Sequence, residues 1–167
     1  RDGMLKHASD LAAAGIPFVF DPGQGLPMFS GEELLHFLEL ADYACFNDYE
    51  AKMACDRTGL SHEQLAGKVK AMIVTLGGEG SHIYVNGQRL TIPCVTAEQI
   101  VDPTGCGDAY RAGLLYGITQ GWDWEKTGRL AAVMGAIKIA SRGGQNHQPS
   151  REEIAARYTQ AFGQRPW

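Results

Sequence analysis

Apolar residues in this chain alternate between short continuous runs and longer stretches in which they recur every third or fourth position. Leu5, Ala8, Leu11 and Ala12 form one such stripe, so the spacing predicts a helix over 4–14 that stops at Gly15-Ile16-Pro17. Phe18-Val19-Phe20 is the first continuous run, a short buried strand halted by Asp21-Pro22-Gly23. Ser30 with Glu33 three residues later makes a capping box and predicts a helix to about 40. A second buried strand over 43–46 ends at Asn47, a helix follows over 49–57, and Ser61 opens another through 70. The clearest strand, 72–76, is closed by Gly77-Gly78-Glu79-Gly80. Asn86-Gly87 between apolar runs at 82–85 and 89–92 signals a hairpin. Helices are then predicted over 108–120, 124–140 and 151–162.

Apolar strands alternating with helices predict an α/β fold with a mainly parallel sheet covered on both faces. No repeat, low-complexity segment or linker interrupts it, so 1–167 reads as a single domain. Ligands of such sheets bind at the carboxyl ends of the strands. The strand ends at Asp21, Asn47 and Gly77 are expected on the same edge as a glycine turn at Gly105.

Composition narrows the classes. A net charge of −4 with no Lys/Arg run argues against a nucleic-acid partner. No apolar stretch is long enough to span a bilayer and no signal-peptide pattern is present, so no membrane partner is expected. Cys45, Cys55, Cys94 and Cys106 are scattered, without a Cys-x-x-Cys pair, which disfavours zinc or a disulfide framework and fits a cytoplasmic protein. The chain begins at Arg1 and reads at once as a helix feeding a strand, as if entered in the middle of an α/β protein.

The chemistry concentrates at Val101-Asp102-Pro103-Thr104-Gly105-Cys106-Gly107-Asp108, where a glycine turn runs into an amphipathic helix. A helix N-terminus carries unpaired N–H groups and attracts anions. Gly105 and Gly107 let bare backbone approach a ligand. Asp108 would repel a phosphate unless it had its own task, and the natural one is to take a proton from an attacking hydroxyl. The plain alternative is an acidic first turn. Asn47 and Glu50 lie three apart at a strand-to-helix junction, where their oxygens suit Mg²⁺ or simply cap the helix. Thr75, Gly77, Gly78 and Gly80 follow a buried strand, where they could bracket nucleotide phosphates or form a turn before the hairpin. Asp102 reads as a turn former, and Gly143 or Gly144 as a helix C-cap.

The string Asp102-Pro103-Thr104-Gly105-Cys106-Gly107-Asp108-Ala109-Tyr110-Arg111-Ala112-Gly113 closely resembles the second signature of the PfkB, or ribokinase-like, family of sugar and nucleoside kinases. Asn47-Asp48-Tyr49-Glu50 resembles a second motif of that family, and Thr75-Leu76-Gly77 its nucleotide-contact strand end. With Asp21-Pro22-Gly23-Gln24 and Arg111, these motifs look most like the bacterial adenosine kinase branch. The resemblance implies a three-layer α/β/α ribokinase-like fold and transfer of the γ-phosphoryl of Mg·ATP to a primary hydroxyl, the 5′ position for adenosine. It makes Asp108 the general base and gives the Gly105, Cys106 and Gly107 amides the developing charge. Thr75, Gly77, Gly78, Gly80 and Thr104 would contact nucleotide, and Asn47 and Glu50 would organise Mg²⁺ through water. Asp102, Thr104 and Gly143 would hold a monovalent cation such as K⁺.

A complete family member is about twice this size on the usual domain scale. The chain therefore resembles the carboxyl-terminal, nucleotide-binding half, without the acceptor-binding half and lid. A sugar kinase of the same family and a nucleotide-binding piece without catalysis stay open as alternatives. Self-association, or pairing with the remaining half, is expected from an unpaired sheet edge. Cys106 stands where the family usually has alanine, its N–H still available to an anion, and its position predicts a lowered thiol pKa. Trp122 and Trp124 read as packing residues.

Overall fold

A computed structural model describes residues 1–167. Where the sequence offers no boundary, the chain divides into two compact units, Arg1–Gly77 with Ser81–Thr91 and Gly78–Gly80 with Ile92–Trp167. No helix is long and apolar enough to cross a membrane.

The first unit contains α1 (Asp2–Ala13), β1 (Val19–Phe20), α2 (Gly31–Leu40), β2 (Tyr43–Asn47), α3 (Asp48–Thr58), α4 (His62–Ala66), β3 (Ala71–Thr75) and β4 (Ser81–Val85). Strand β5 (Gln88–Ile92) completes a five-stranded sheet of order β1-β2-β3-β4-β5. Strands β1, β2 and β3 are parallel, and β4 runs antiparallel to β3. The sheet is therefore parallel through its first three strands and reverses at β4, across the Gly77–Gly80 turn, before the predicted hairpin joins β4 to β5. Both turn residues have positive φ, 51° at Asn86 and 72° at Gly87, the geometry that matches strand twist.

The buried strands are apolar on both faces because both are covered. Ala44, Phe46, Met72 and Val74 join a core with Phe20, Leu34, Phe37 and Leu38, while Cys45, Ile73 and Ile83 on the opposite face are also buried. Phe37 stacks on Phe20 with ring centroids 4.4 Å apart and meets Phe29 edge-on at 5.0 Å. Ser30, Asn47 and Ser61 each cap a helix through a reciprocal capping box.

One boundary changes and one element is added. The helix opened by Ser61 stops at Ala66 rather than 70, because Gly67 ends it and the Lys70 amide is drawn into the sheet by the Asp42 carbonyl at 2.8 Å. Between β1 and α2, Gly23–Met28 form a 3₁₀ helix that buries Leu26. The glycines and proline flanking Leu26 conceal this turn from a periodicity search.

The second unit carries α5 (Cys106–Thr119), α6 (Trp124–Ile139) and α7 (Arg151–Phe162). Helices α5 and α6 touch closely at Gly113, where a Cβ would lie 2.6 Å from the Cα of Ala131. Val95, Leu130, Val133, Ala136 and Tyr158 form this unit's core. Trp122 packs edge-on against Tyr116 at 5.4 Å, a packing role as expected.

Candidate functional site

In the first unit, the carboxyl ends of β2 and β3 place Asn47 and Thr75 side by side in register. Asn47 is the N-cap of α3: its Oδ1 accepts from the Glu50 amide at 2.7 Å, and Glu50 Oε2 accepts from the Asn47 amide at 2.9 Å. The capping alternative is therefore realised. It uses one carboxylate oxygen of the buried Glu50 and leaves the second, with the Asn47 side-chain amide nitrogen, outside the pair. Thr75 Oγ1 lies 3.5 Å from the Phe46 carbonyl. No cluster of three or more His, Cys, Asp or Glu side chains suits a metal ion, so a cation here would be held through few direct protein ligands.

Gly77 and Gly78 have open space where a Cβ would stand, whereas a Cβ at Gly80 would run into the backbone of Ile92 and Pro93. Gly80 is glycine because the chain passes close behind it, a packing cause that the sequence pattern does not separate from ligand contact.

In the second unit, Gly105 is the N-cap of α5 in the left-handed region, φ 79°. A Cβ there would also press on Gly144, 3.0 Å from its Cα. The Cys106 amide donates to the Pro103 carbonyl at 3.1 Å, closing the turn on itself. The Cys106 amide is thus engaged within the turn, and the amides without an acceptor are those of Gly105, Gly107 and Asp108. Asp108 itself is exposed in the first turn of α5, its carboxylate without a hydrogen-bond or ion-pair partner. A free carboxylate and free amides thus share one helical turn.

The Cys106 thiol departs from expectation. It faces the Asp102 carbonyl at 3.9 Å, and burial pushes its pKa up, opposed by the Lys138 ammonium. Desolvation of the thiolate is the largest influence and outweighs the Lys138 ammonium, so the thiol form is favoured.

Asp102 engages every polar group it has. Its carboxylate accepts from the Thr104 amide at 2.9 Å and the Gly143 amide at 2.7 Å. These amides, with the Thr104 hydroxyl and the Lys138 ammonium, hold its pKa down to about 2. Its own amide donates to the Ile139 carbonyl at 3.1 Å, as does Val101 at 2.8 Å. Its carbonyl accepts from Lys138 Nζ at 2.9 Å. The expected trio Asp102, Thr104 and Gly143 does come together, bound to one another. Lys138 is the residue that sequence reasoning missed. Its signal is position: seven residues after the buried Ala131, it falls on the apolar face of α6.

Comparison with known proteins identifies relatives of the chain as a whole. A nucleoside kinase from Burkholderia thailandensis solved with inosine superposes with a TM-score of 0.97 and 54% identity over 99% of this chain and 55% of its own. The same protein solved with ADP-inosine gives a TM-score of 0.96. The nucleoside kinase of Methanocaldococcus jannaschii is 36% identical over 138 residues, 83% of this chain and 46% of its own length. Its structure, described as an archaeal member of the ribokinase family, has a TM-score of 0.83. A ribokinase from Lactococcus lactis is 32% identical over 74% of this chain and 40% of its length. The chain spans about half the length of these relatives and carries part of the ribokinase-like α/β fold. Its residues 1–151 match the profile of the pfkB family carbohydrate kinases, and the chain belongs to that family.

Proposed function

We propose that this chain is the nucleotide-binding half of a kinase that moves the γ-phosphoryl of ATP to the 5′-hydroxyl of a purine nucleoside. The observation that carries the reading is the first turn of α5, where the unpartnered Asp108 carboxylate stands among amides that have no acceptor. Asp108 takes the proton of the attacking hydroxyl as its oxygen bonds to the γ-phosphorus. The bond to the β-phosphate oxygen breaks and ADP leaves. The Gly105, Gly107 and Asp108 amides stabilise charge on the transferring phosphoryl group. Thr75, Gly77, Gly78 and Thr104 are assigned to the nucleotide.

Magnesium bound to the phosphates supplies charge neutralisation. Asn47 and Glu50 suit it because Glu50 keeps one carboxylate oxygen beyond the capping pair, enough to accept from a metal-bound water. Adenosine is the acceptor that the motifs resemble most, and the inosine bound by the Burkholderia thailandensis kinase supports the same chemical class.

The test is ATP turnover by the full-length kinase with adenosine, inosine and ribose, beside ADP binding by this chain. Turnover of the nucleosides over ribose is expected, with ADP binding retained by the chain. Turnover of ribose alone would move the protein to the sugar kinases. Failure of the chain to bind ADP would remove the nucleotide assignment.

A further inference from the structure

Lys138 is completely buried, and its ammonium donates to two backbone carbonyls, Asp102 and Ser141, each at 2.9 Å. An ammonium taken out of water is costly unless it is paired and hydrogen-bonded. Its place explains the pairing. Asp102 belongs to the loop that leads into the Gly105 turn, and Ser141 to the loop that leaves α6. The same two loops are joined by the Asp102 carboxylate, which accepts from Thr104 on one side and Gly143 on the other. Gly144 then backs directly against Gly105. The ammonium is the positive centre of a junction otherwise made of backbone carbonyls, backbone amides and one carboxylate.

A monovalent cation expected between these loops would need the same oxygens. Here the Asp102 carbonyl accepts from Lys138 and each carboxylate oxygen from a backbone amide, so the residues expected to hold a cation are already tied to one another around an ammonium. We infer that the Lys138 ammonium is the resident cation of this junction, a built-in charge that fixes the Gly105 turn and makes the protein independent of added K⁺. Lys138 is thus a positioning residue, since it acts on phosphate through the turn. That positioning role rests on the kinase reading. The replacement of a cation does not, and thermal stability reads it without nucleotide.

The experiment compares native protein with Lys138→Met in potassium, ammonium and choline chloride at equal ionic strength. It follows the thermal midpoint of this chain and the ADP affinity of the full-length kinase. Native protein is expected to show the same midpoint and affinity in all three salts. Lys138→Met, with two carbonyls left unpaired, is expected to lose midpoint and about tenfold or more in ADP affinity in choline. Potassium or ammonium should restore much of both. Three results would overturn the inference: native protein that needs potassium, a variant indistinguishable from native in choline, or a loss that no cation restores. Should Lys138→Met not fold in any salt, Lys138→Gln carries the same comparison, keeping a neutral donor on a side chain one bond shorter. A midpoint response without an affinity response would keep the cation replacement and remove the kinase-dependent part.

Discussion

Replacing Gly105 with alanine tests whether the turn ahead of α5 has the shape described. Two effects oppose the substitution and one favours it. Gly105 sits at φ 79°, where a Cβ costs roughly 1–2 kcal/mol. The new Cβ would also lie 3.0 Å from the Cα and 3.1 Å from the carbonyl oxygen of Gly144, and neither backbone atom can swing aside. Overpacking of that kind costs roughly 1–3 kcal/mol. Against both, alanine restricts the unfolded chain and returns about 0.4–1 kcal/mol. The net expectation is a loss of about 1–5 kcal/mol.

Gly163→Ala is the matched control: φ is 75°, and nothing lies within 4 Å of its Cβ position. It carries the backbone cost and the unfolded-state gain without the collision, so it should lose no more than roughly 1–2 kcal/mol. All three tryptophans, Trp122, Trp124 and Trp167, lie in the second unit with both glycines. Urea unfolding followed by tryptophan fluorescence therefore reads the unit concerned. Gly105→Ala should lower the midpoint more than Gly163→Ala and should alone weaken ADP binding. Equal losses would mean that the turn and Gly144 are not in close approach in solution.

The pH dependence of the second unit should carry the signature of Asp102. A carboxylate whose pKa is lowered to about 2 contributes stability above its unfolded value, near 3.9, and loses it as pH falls through the folded one. Native protein should therefore lose urea resistance between about pH 4 and 2 more steeply than Asp102→Asn, and parallel profiles would contradict the assignment. Phe37→Ala, which removes a ring stacked on Phe20 in the core, should cost roughly 3–5 kcal/mol in thermal or urea unfolding; a loss under about 1 kcal/mol would mean that the aromatic cluster packs otherwise. Strand β1 is two residues long and terminal in the sheet, so light scattering should show this chain associating as concentration rises. A clean monomer would count against an available edge.

Most of the fold was legible because its signals are local. Ser30, Asn47 and Ser61 announce their helices through capping boxes, and Asn86-Gly87 fixes a hairpin by its backbone preference. The apolar runs at 43–46 and 72–76 lead into two central strands. The site was legible in residue types more than in arrangement. Asp108 and the flanking glycines stand out as a string, and the structure puts them on one helical turn. Whether Asn47 and Glu50 cap a helix or serve a cation could not be decided from spacing, since the same oxygens suit both.

What the sequence concealed depends on contacts distant along the chain. Gly80 is required by the backbone at Ile92 and Pro93, and Gly105 by Gly144 as well as by its own φ. The elevated Cys106 thiol follows from burial that no neighbour in sequence announces. Lys138 was the largest omission. A lysine among apolar residues near a helix end looks like a C-terminal charge complement, and only the pairing with Asp102, 36 residues earlier, gives it a further meaning.

The most direct test of the central claim is single-turnover phosphoryl transfer from ATP to a purine nucleoside by full-length kinase carrying Asp108→Asn, with ADP affinity measured in parallel. The variant should bind ADP as native does and transfer phosphoryl about 10²–10⁴-fold more slowly, the contribution of a general base. Transfer at the native rate would contradict the account and leave Asp108 as an acidic residue in a helix's first turn.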